Sequence, residues 1–120
     1  MKKFTDTHEW IELNGHVGTV GVTHHAQKEL GDIVYVELPK VGKVVKAEEA
    51  AAVLESTKAA ADVYSPVRGT ILEVNEALKD KPELINQSPE KEGWLFKLEL
   101  GDKLDMESLL DASSYELLIK

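Results

Sequence analysis

Leu54-Glu55-Ser56-Thr57-Lys58-Ala59-Ala60-Ala61-Asp62-Val63-Tyr64-Ser65-Pro66-Val67-Arg68-Gly69 is the stretch on which the reading of this chain turns. Strand-like residues precede Lys58 and follow it, and small residues crowd around it. The pattern predicts a hairpin with one flexible amine at its tip, within reach of another protein. An unmodified lysine is an ammonium at neutral pH and a poor nucleophile, so such a tip suits attachment better than catalysis. Acylation there removes the charge and lengthens the arm.

Outward from the hairpin, short strand signals separated by Gly, Pro and Asn dominate. Trp10 to Leu13 reads as a strand that ends in a turn at Asn14-Gly15, because Asn-Gly tolerates positive φ. His16 to Val22 returns as its partner. Thr23 to Leu30 predicts a short helix, with Thr23 as N-cap and Gly31 just past the end. Ile33 to Leu38 predicts a strand with Val34, Val36 and Leu38 on one face, ended by Pro39. Gly42 to Val45 leads into Ala51 to Glu55, and Asp62 to Tyr64 follows the tip. Thr70 to Val74 is a further strand, and Asn75 to Leu78 begins a helical turn. Lys79 to Gly93, with Pro82 and Pro89, reads as a mainly irregular loop. Trp94 to Leu100 alternates, with Trp94, Phe96, Leu98 and Leu100 on one face. Asp102 to Lys120 carries apolar residues at helical spacing and predicts one or two short amphipathic helices. The sum is a mostly antiparallel β domain of two small sheets with the lysine hairpin exposed at one end.

With 120 residues the chain is expected to be one domain, 1–120. It is 42% hydrophobic and 30% charged, ordinary for a globular protein. No apolar run approaches the roughly 18 residues of a membrane span. Met1 to Leu13 includes Asp6, Glu9 and Glu12 and has no apolar core, so neither a signal peptide nor a transit peptide is expected there. The absence of cysteine removes disulfide, thiolate and zinc–sulfur chemistry, so any redox sulfur must come from an attached group. A net charge of −8 argues against nucleic acid and favours docking on basic protein surfaces.

The chain resembles the H proteins of the glycine cleavage system. The resemblance rests on segments spread over nearly its whole length. These are Thr7-His8-Glu9-Trp10, Gly21-Val22-Thr23, Ala26-Gln27, Leu30-Gly31-Asp32 and Val36-Glu37-Leu38-Pro39. The lysine segment, Ser65-Pro66-Val67, Glu73-Val74-Asn75, Pro82 to Asn86 and Gly93-Trp94-Leu95 follow. Their order and spacing are specific, where Glu-Ser-x-Lys alone would be weak.

The resemblance implies an all-β barrel-sandwich hybrid of the lipoyl/biotinyl-carrier type, with short flanking helices and a C-terminal helix. It implies lipoate in amide linkage to Lys58, and attachment recognition by Glu55, Gly42 and Gly69. Both glycines also suit simple turns. It implies a shuttle without catalysis of its own. A pyridoxal-phosphate glycine decarboxylase loads an aminomethyl group on the arm, and a tetrahydrofolate-dependent aminomethyltransferase unloads it. Dihydrolipoamide dehydrogenase reoxidises the dithiol, and a lipoate-attaching enzyme installs it. The family's protective cleft aligns with Glu9 and Asp62, although an exposed strand position for Glu9 and a turn role for Asp62 are the plainer readings. Thr57 and Ala61 depart from the residues common in relatives by small changes. A cytoplasmic, bacterial, monomeric carrier is expected.

Other chemistry is thin. His8, His16, His24 and His25 lack His-x3-His spacing and read as solvated or packing residues, with no metal site expected. Glu48-Glu49 has no accompanying nucleophile or phosphate loop. Trp10, Trp94 and Phe96 read as core aromatics. Two alternatives stay open. One is a lipoyl-carrier homologue that serves another pathway or donates lipoate. The other is a biotin carrier, disfavoured because Thr57 and Ala59, not methionines, flank the lysine.

Overall fold

A computed structural model describes residues 1–120. Two antiparallel sheets form the body. One has six strands in the order β1-β2-β3-β9-β8-β5, namely Lys2–Phe4, Glu9–Asn14, Val17–Val22, Phe96–Leu100, Gly69–Val74 and Val44–Val45. The other has three in the order β4-β6-β7, namely Ile33–Glu37, Ala50–Ser56 and Ala60–Tyr64. Neither sheet closes into a barrel. Short helices flank them: α1 His24–Leu30, α2 Ala77–Asp80, α3 Leu84–Gln87 and α4 Ala112–Leu118. A 3₁₀ helix, Lys103–Ser108, leads into α4. No helix is long and apolar enough to cross a membrane.

The core between the sheets draws Ile11, Val20 and Val22 from β2 and β3, and Leu54 and Val63 from the lysine hairpin. Ile71, Phe96 and Leu98 complete it from β8 and β9. A smaller cluster of Phe4, Trp10 and Tyr115 fastens α4 to the sheet edge. There the Phe4 and Tyr115 rings stack at 4.8 Å. Phe4 and Leu110 also exchange two backbone hydrogen bonds of 2.8 Å, which fixes the approach to α4.

Local chemistry accounts for the boundaries. Thr23 Oγ1 accepts from the Ala26 N–H at the start of α1, and Gly31 with φ 85° ends it. Gly15 with φ 61° makes the turn after Asn14.

Four expectations from the sequence need correction. The strand Lys2–Phe4 was not foreseen. The segment 79–93 is not mainly irregular, because α3 and the end of α2 lie within it and bury Leu78 and Ile85. Val34 is 55% exposed and does not share a face with Val36. A register shift between Ile33 and Tyr35 breaks the two-residue period, so Ile33 and Val36 point into the core instead. Trp94 and Leu95 precede β9, and Leu95, expected on the face opposite Phe96, is fully buried as Phe96 is.

Candidate functional site

Lys58 is the middle residue of the three, Thr57, Lys58 and Ala59, that join β6, ending at Ser56, to β7, starting at Ala60. Ser56 closes this tip. Its backbone N–H donates to the Ala59 carbonyl at 2.8 Å, and its hydroxyl accepts from the Lys58 and Ala59 N–H groups at 3.1 Å. The Thr57 N–H donates to the Asp32 carbonyl at 3.1 Å, which ties the tip to the end of α1. These bonds hold the backbone and leave the side chain free. Lys58 is exposed and belongs to none of the ion pairs of the molecule. Its aliphatic stem passes Gly31, where an added Cβ would meet Lys58 Cε at 3.4 Å.

Glu55 is exposed on β6 opposite Ala60. Gly42 and Gly69 answer different needs. Gly42 has φ 92° with open space around it, so its requirement is conformational. A Cβ on Gly69 would lie 2.3 Å from the Glu99 carbonyl oxygen, so that glycine permits β8 and β9 to pair closely.

A cleft of about 560 Å³ opens between the β1–β2 turn, the β5–β6 turn, the end of β7 and the segment before α4. Glu9 is its charged anchor. Of the two sequence readings of Glu9, a cleft position and an exposed strand position, the second fails: Glu9 is 2% exposed and lies on the second strand. One carboxylate oxygen accepts from the Thr5 and Thr7 hydroxyls at 2.5 Å each, and the other accepts from the Tyr64 N–H at 3.2 Å. All three partners donate, which is the pattern a carboxylate needs. Burial pushes the Glu9 pKa up, opposed by the hydrogen bonds from Thr5, Thr7 and Tyr64.

Asp62 does not line the cleft. It is exposed and shares a face of β7 with Tyr64, which does line it. Glu9 lines the cleft, and Asp62 stands outside it, two residues before Tyr64 on β7. Thr5, Asp6, Thr7, Glu48 and Tyr64 also line the cleft, and the sequence reading missed their part in it. Glu48, at φ 68°, is held by a 2.7 Å bond from its N–H to the Ser65 carbonyl. A non-glycine residue in that backbone region, beside a carboxylate already buried, was not legible from spacing.

A solvent-facing amine on a closed hairpin, with an acidic cleft at the far end of the same hairpin, is a carrier's geometry. The family model for the glycine cleavage H-protein matches residues 2–120. The chain belongs to the glycine cleavage H-protein family. It is 58% identical over 116 residues to the glycine cleavage system H protein of Thermotoga maritima, covering 97% of this chain and 94% of that one. The corresponding protein of Bartonella tribocorum is 55% identical, with 97% and 95% covered. The crystal structure of an H protein from Mycobacterium marinum superposes with a TM-score of 0.83 at 38% identity, covering 95% and 92%. Membership fixes the fold as the barrel-sandwich lipoyl-carrier type. It also fixes the role: a lipoyl-carrying shuttle of the glycine cleavage system that works with the system's other components. The family's cofactor is lipoate, covalently held on a lysine.

Proposed function

We propose that Lys58 is the lipoylated residue and that residues 1–120 act as one monomeric, cytoplasmic carrier domain, in keeping with bacterial relatives. The observation that carries this is the unpaired, exposed amine on a tip that its own backbone hydrogen bonds close. Thr57, Ala59 and Ala60 are small enough to let an attaching enzyme surround it. Glu55 is an exposed acidic contact for that enzyme, and Gly42 and Gly69 keep the flanking turns in shape.

When bound, lipoate supplies the sulfur that accepts and releases the aminomethyl group. The chain supplies position and protection. An extended lipoyl-lysine of roughly eleven bonds reaches about 14 Å. Four residues of strand span about 13 Å, which brings Asp62 within that reach. Six residues span about 20 Å, beyond that reach. The sulfur, methylene and nitrogen of a loaded, opened arm add about three to five bonds, roughly 4–6 Å, so the cargo amine meets the cleft at Tyr64 only with the arm extended flat along the exposed face of β7. Asp62 guides an ammonium group along that face, and Glu9 receives it in the cleft by a charge-assisted hydrogen bond. The partners are a glycine decarboxylase, an aminomethyltransferase, dihydrolipoamide dehydrogenase and a lipoate-attaching enzyme, and the carrier alone catalyses nothing.

The test is reconstitution of glycine-dependent methylene-tetrahydrofolate formation with Lys58→Arg. The variant folds normally, because an exposed tip contributes little packing, and it supports no turnover. Turnover at the wild-type rate would place the attachment elsewhere.

A further inference from the structure

The histidines that the sequence left to solvent and packing do not stand apart. His8, in the turn before β2, meets His25 and Glu29 of α1, and one ligand atom from each lies within 4.8 Å of the others. The His8 and His25 rings are 4.8 Å apart and tilted by 45°. His25 Nε2 and Glu29 Oε1 are 2.8 Å apart across one helical turn. The sequence signal for this was His25-x3-Glu29, a spacing that places two ligands on one helix face.

His8 is held for such a role. Its backbone has φ 72°, the left-handed region that few residues other than glycine adopt. Its backbone carbonyl accepts from the Thr23 N–H at 3.0 Å. Its Nδ1 lies 2.8 Å from the Tyr115 hydroxyl, which lies 2.7 Å from Thr23 Oγ1. That chain can run from Nδ1–H through Tyr115 to Thr23, whose oxygen has a second lone pair beside the bond it accepts from Ala26. In this direction the His8 Nε2 lone pair is free to ligate. A metal-bound imidazole commonly donates its other ring N–H to an oxygen in this way.

We propose that His8, His25 and Glu29 form a binding site for a divalent late transition metal of the zinc class. Two imidazoles and one carboxylate match its ligand preference, and the fourth position is left to water. Metal–ligand distances of about 2.0–2.1 Å place tetrahedral ligand atoms about 3.4 Å apart. The widest pair must close by about 1.4 Å, which rotation of the partly exposed His25 and Glu29 side chains supplies. The same rotation opens the 2.8 Å His25–Glu29 contact to the ion. A bound ion would clamp the turn before β2 to α1, with Tyr115 linking that clamp to α4.

The experiment is calorimetric titration of Zn²⁺ into the chelator-treated, lipoylated full chain, with the lipoyl sulfurs kept as the disulfide so that they do not compete. Wild type binds one equivalent saturably. His25→Ala and Glu29→Gln each weaken binding at least about tenfold, and Tyr115→Phe weakens it about tenfold through the His8 ring. His16→Ala and His24→Ala, outside the cluster, leave it unchanged. In NMR spectra Zn²⁺ shifts the imidazole resonances of His8 and His25 and not those of His16 and His24. No saturable binding by wild type, equal affinity in His25→Ala and wild type, or shifts confined to His16 and His24 would each overturn the site.

Discussion

Replacing Glu9 by glutamine and by alanine separates the charge of this side chain from its packing. Glutamine keeps the volume, turns its carbonyl to the Tyr64 N–H and offers its amide to the Thr5 and Thr7 hydroxyls, which can rotate to accept. Alanine leaves the Tyr64 N–H without its partner and deprives both hydroxyls of an acceptor. An unsatisfied buried group costs about 1–3 kcal/mol, so Glu9→Ala loses about that much stability and Glu9→Gln stays close to wild type. The pH dependence separates them further. The Glu9 pKa is raised in the folded state by burial. Its stabilising contribution is therefore complete below the unfolded-state pKa and is lost as pH rises through the folded-state value. Glu9→Gln removes that slope, and urea unfolding over a pH series with chelator present reads it.

Function divides differently. A charge-assisted hydrogen bond to the ammonium of the cargo is worth about 1.5–3 kcal/mol when shielded, or roughly ten- to hundredfold in the rate of loss. Both variants lose it, so Glu9→Gln is as well folded as wild type and releases ammonia about ten- to hundredfold faster. The assay loads each carrier, removes the decarboxylase and follows ammonia with time. Wild-type release from Glu9→Gln would refute the role of the carboxylate, since no folding defect could mask the result.

Asp62→Ala is expected to speed release less than Glu9→Gln, because Asp62 is exposed and lies outside the cleft; an equal or larger effect in the same ammonia assay would reverse their order. Gly69→Ala forces a Cβ against the Glu99 carbonyl at 2.3 Å, and overpacking of this kind costs about 1–3 kcal/mol. Its Tm falls more than that of Gly42→Ala, which meets open space and has only its φ of 92° to strain it; calorimetry compares the two. Raising salt slows productive encounter with the decarboxylase, because a net charge of −8 steers docking over a range screened beyond about 10 Å at 0.1 M; an encounter rate indifferent to salt would make docking mainly apolar.

The tip, the paired strands and the caps of α1 could be read from the chain because each is set by residues next to one another. Thr23 and Gly31 bracket a helix through local bonds, and Asn14-Gly15 fixes a turn through backbone conformation alone. The features that escaped depend on distant neighbours. Val34 faces solvent because β4 slips against β6, a property of the pair and not of either strand. Glu9 is buried because Thr5 and Thr7 from the β1–β2 turn and Tyr64 from another strand converge on it. Asp62 looked like its partner because both are acidic and both match the family. β7 instead leaves Asp62 outside the cleft and brings Tyr64, two residues on, to its edge. His8 and His25 are seventeen positions apart, and only the packing of α1 beside the β1–β2 turn brings their rings together.

The proposed attachment puts the arm on one lysine. The measurement is intact mass followed by peptide mapping of the full chain, produced in cells supplied with lipoate. A gain of one lipoyl group, located on Lys58, is expected, with no gain in Lys58→Arg. A lipoyl group on any other lysine, or an undiminished gain in Lys58→Arg, would contradict it.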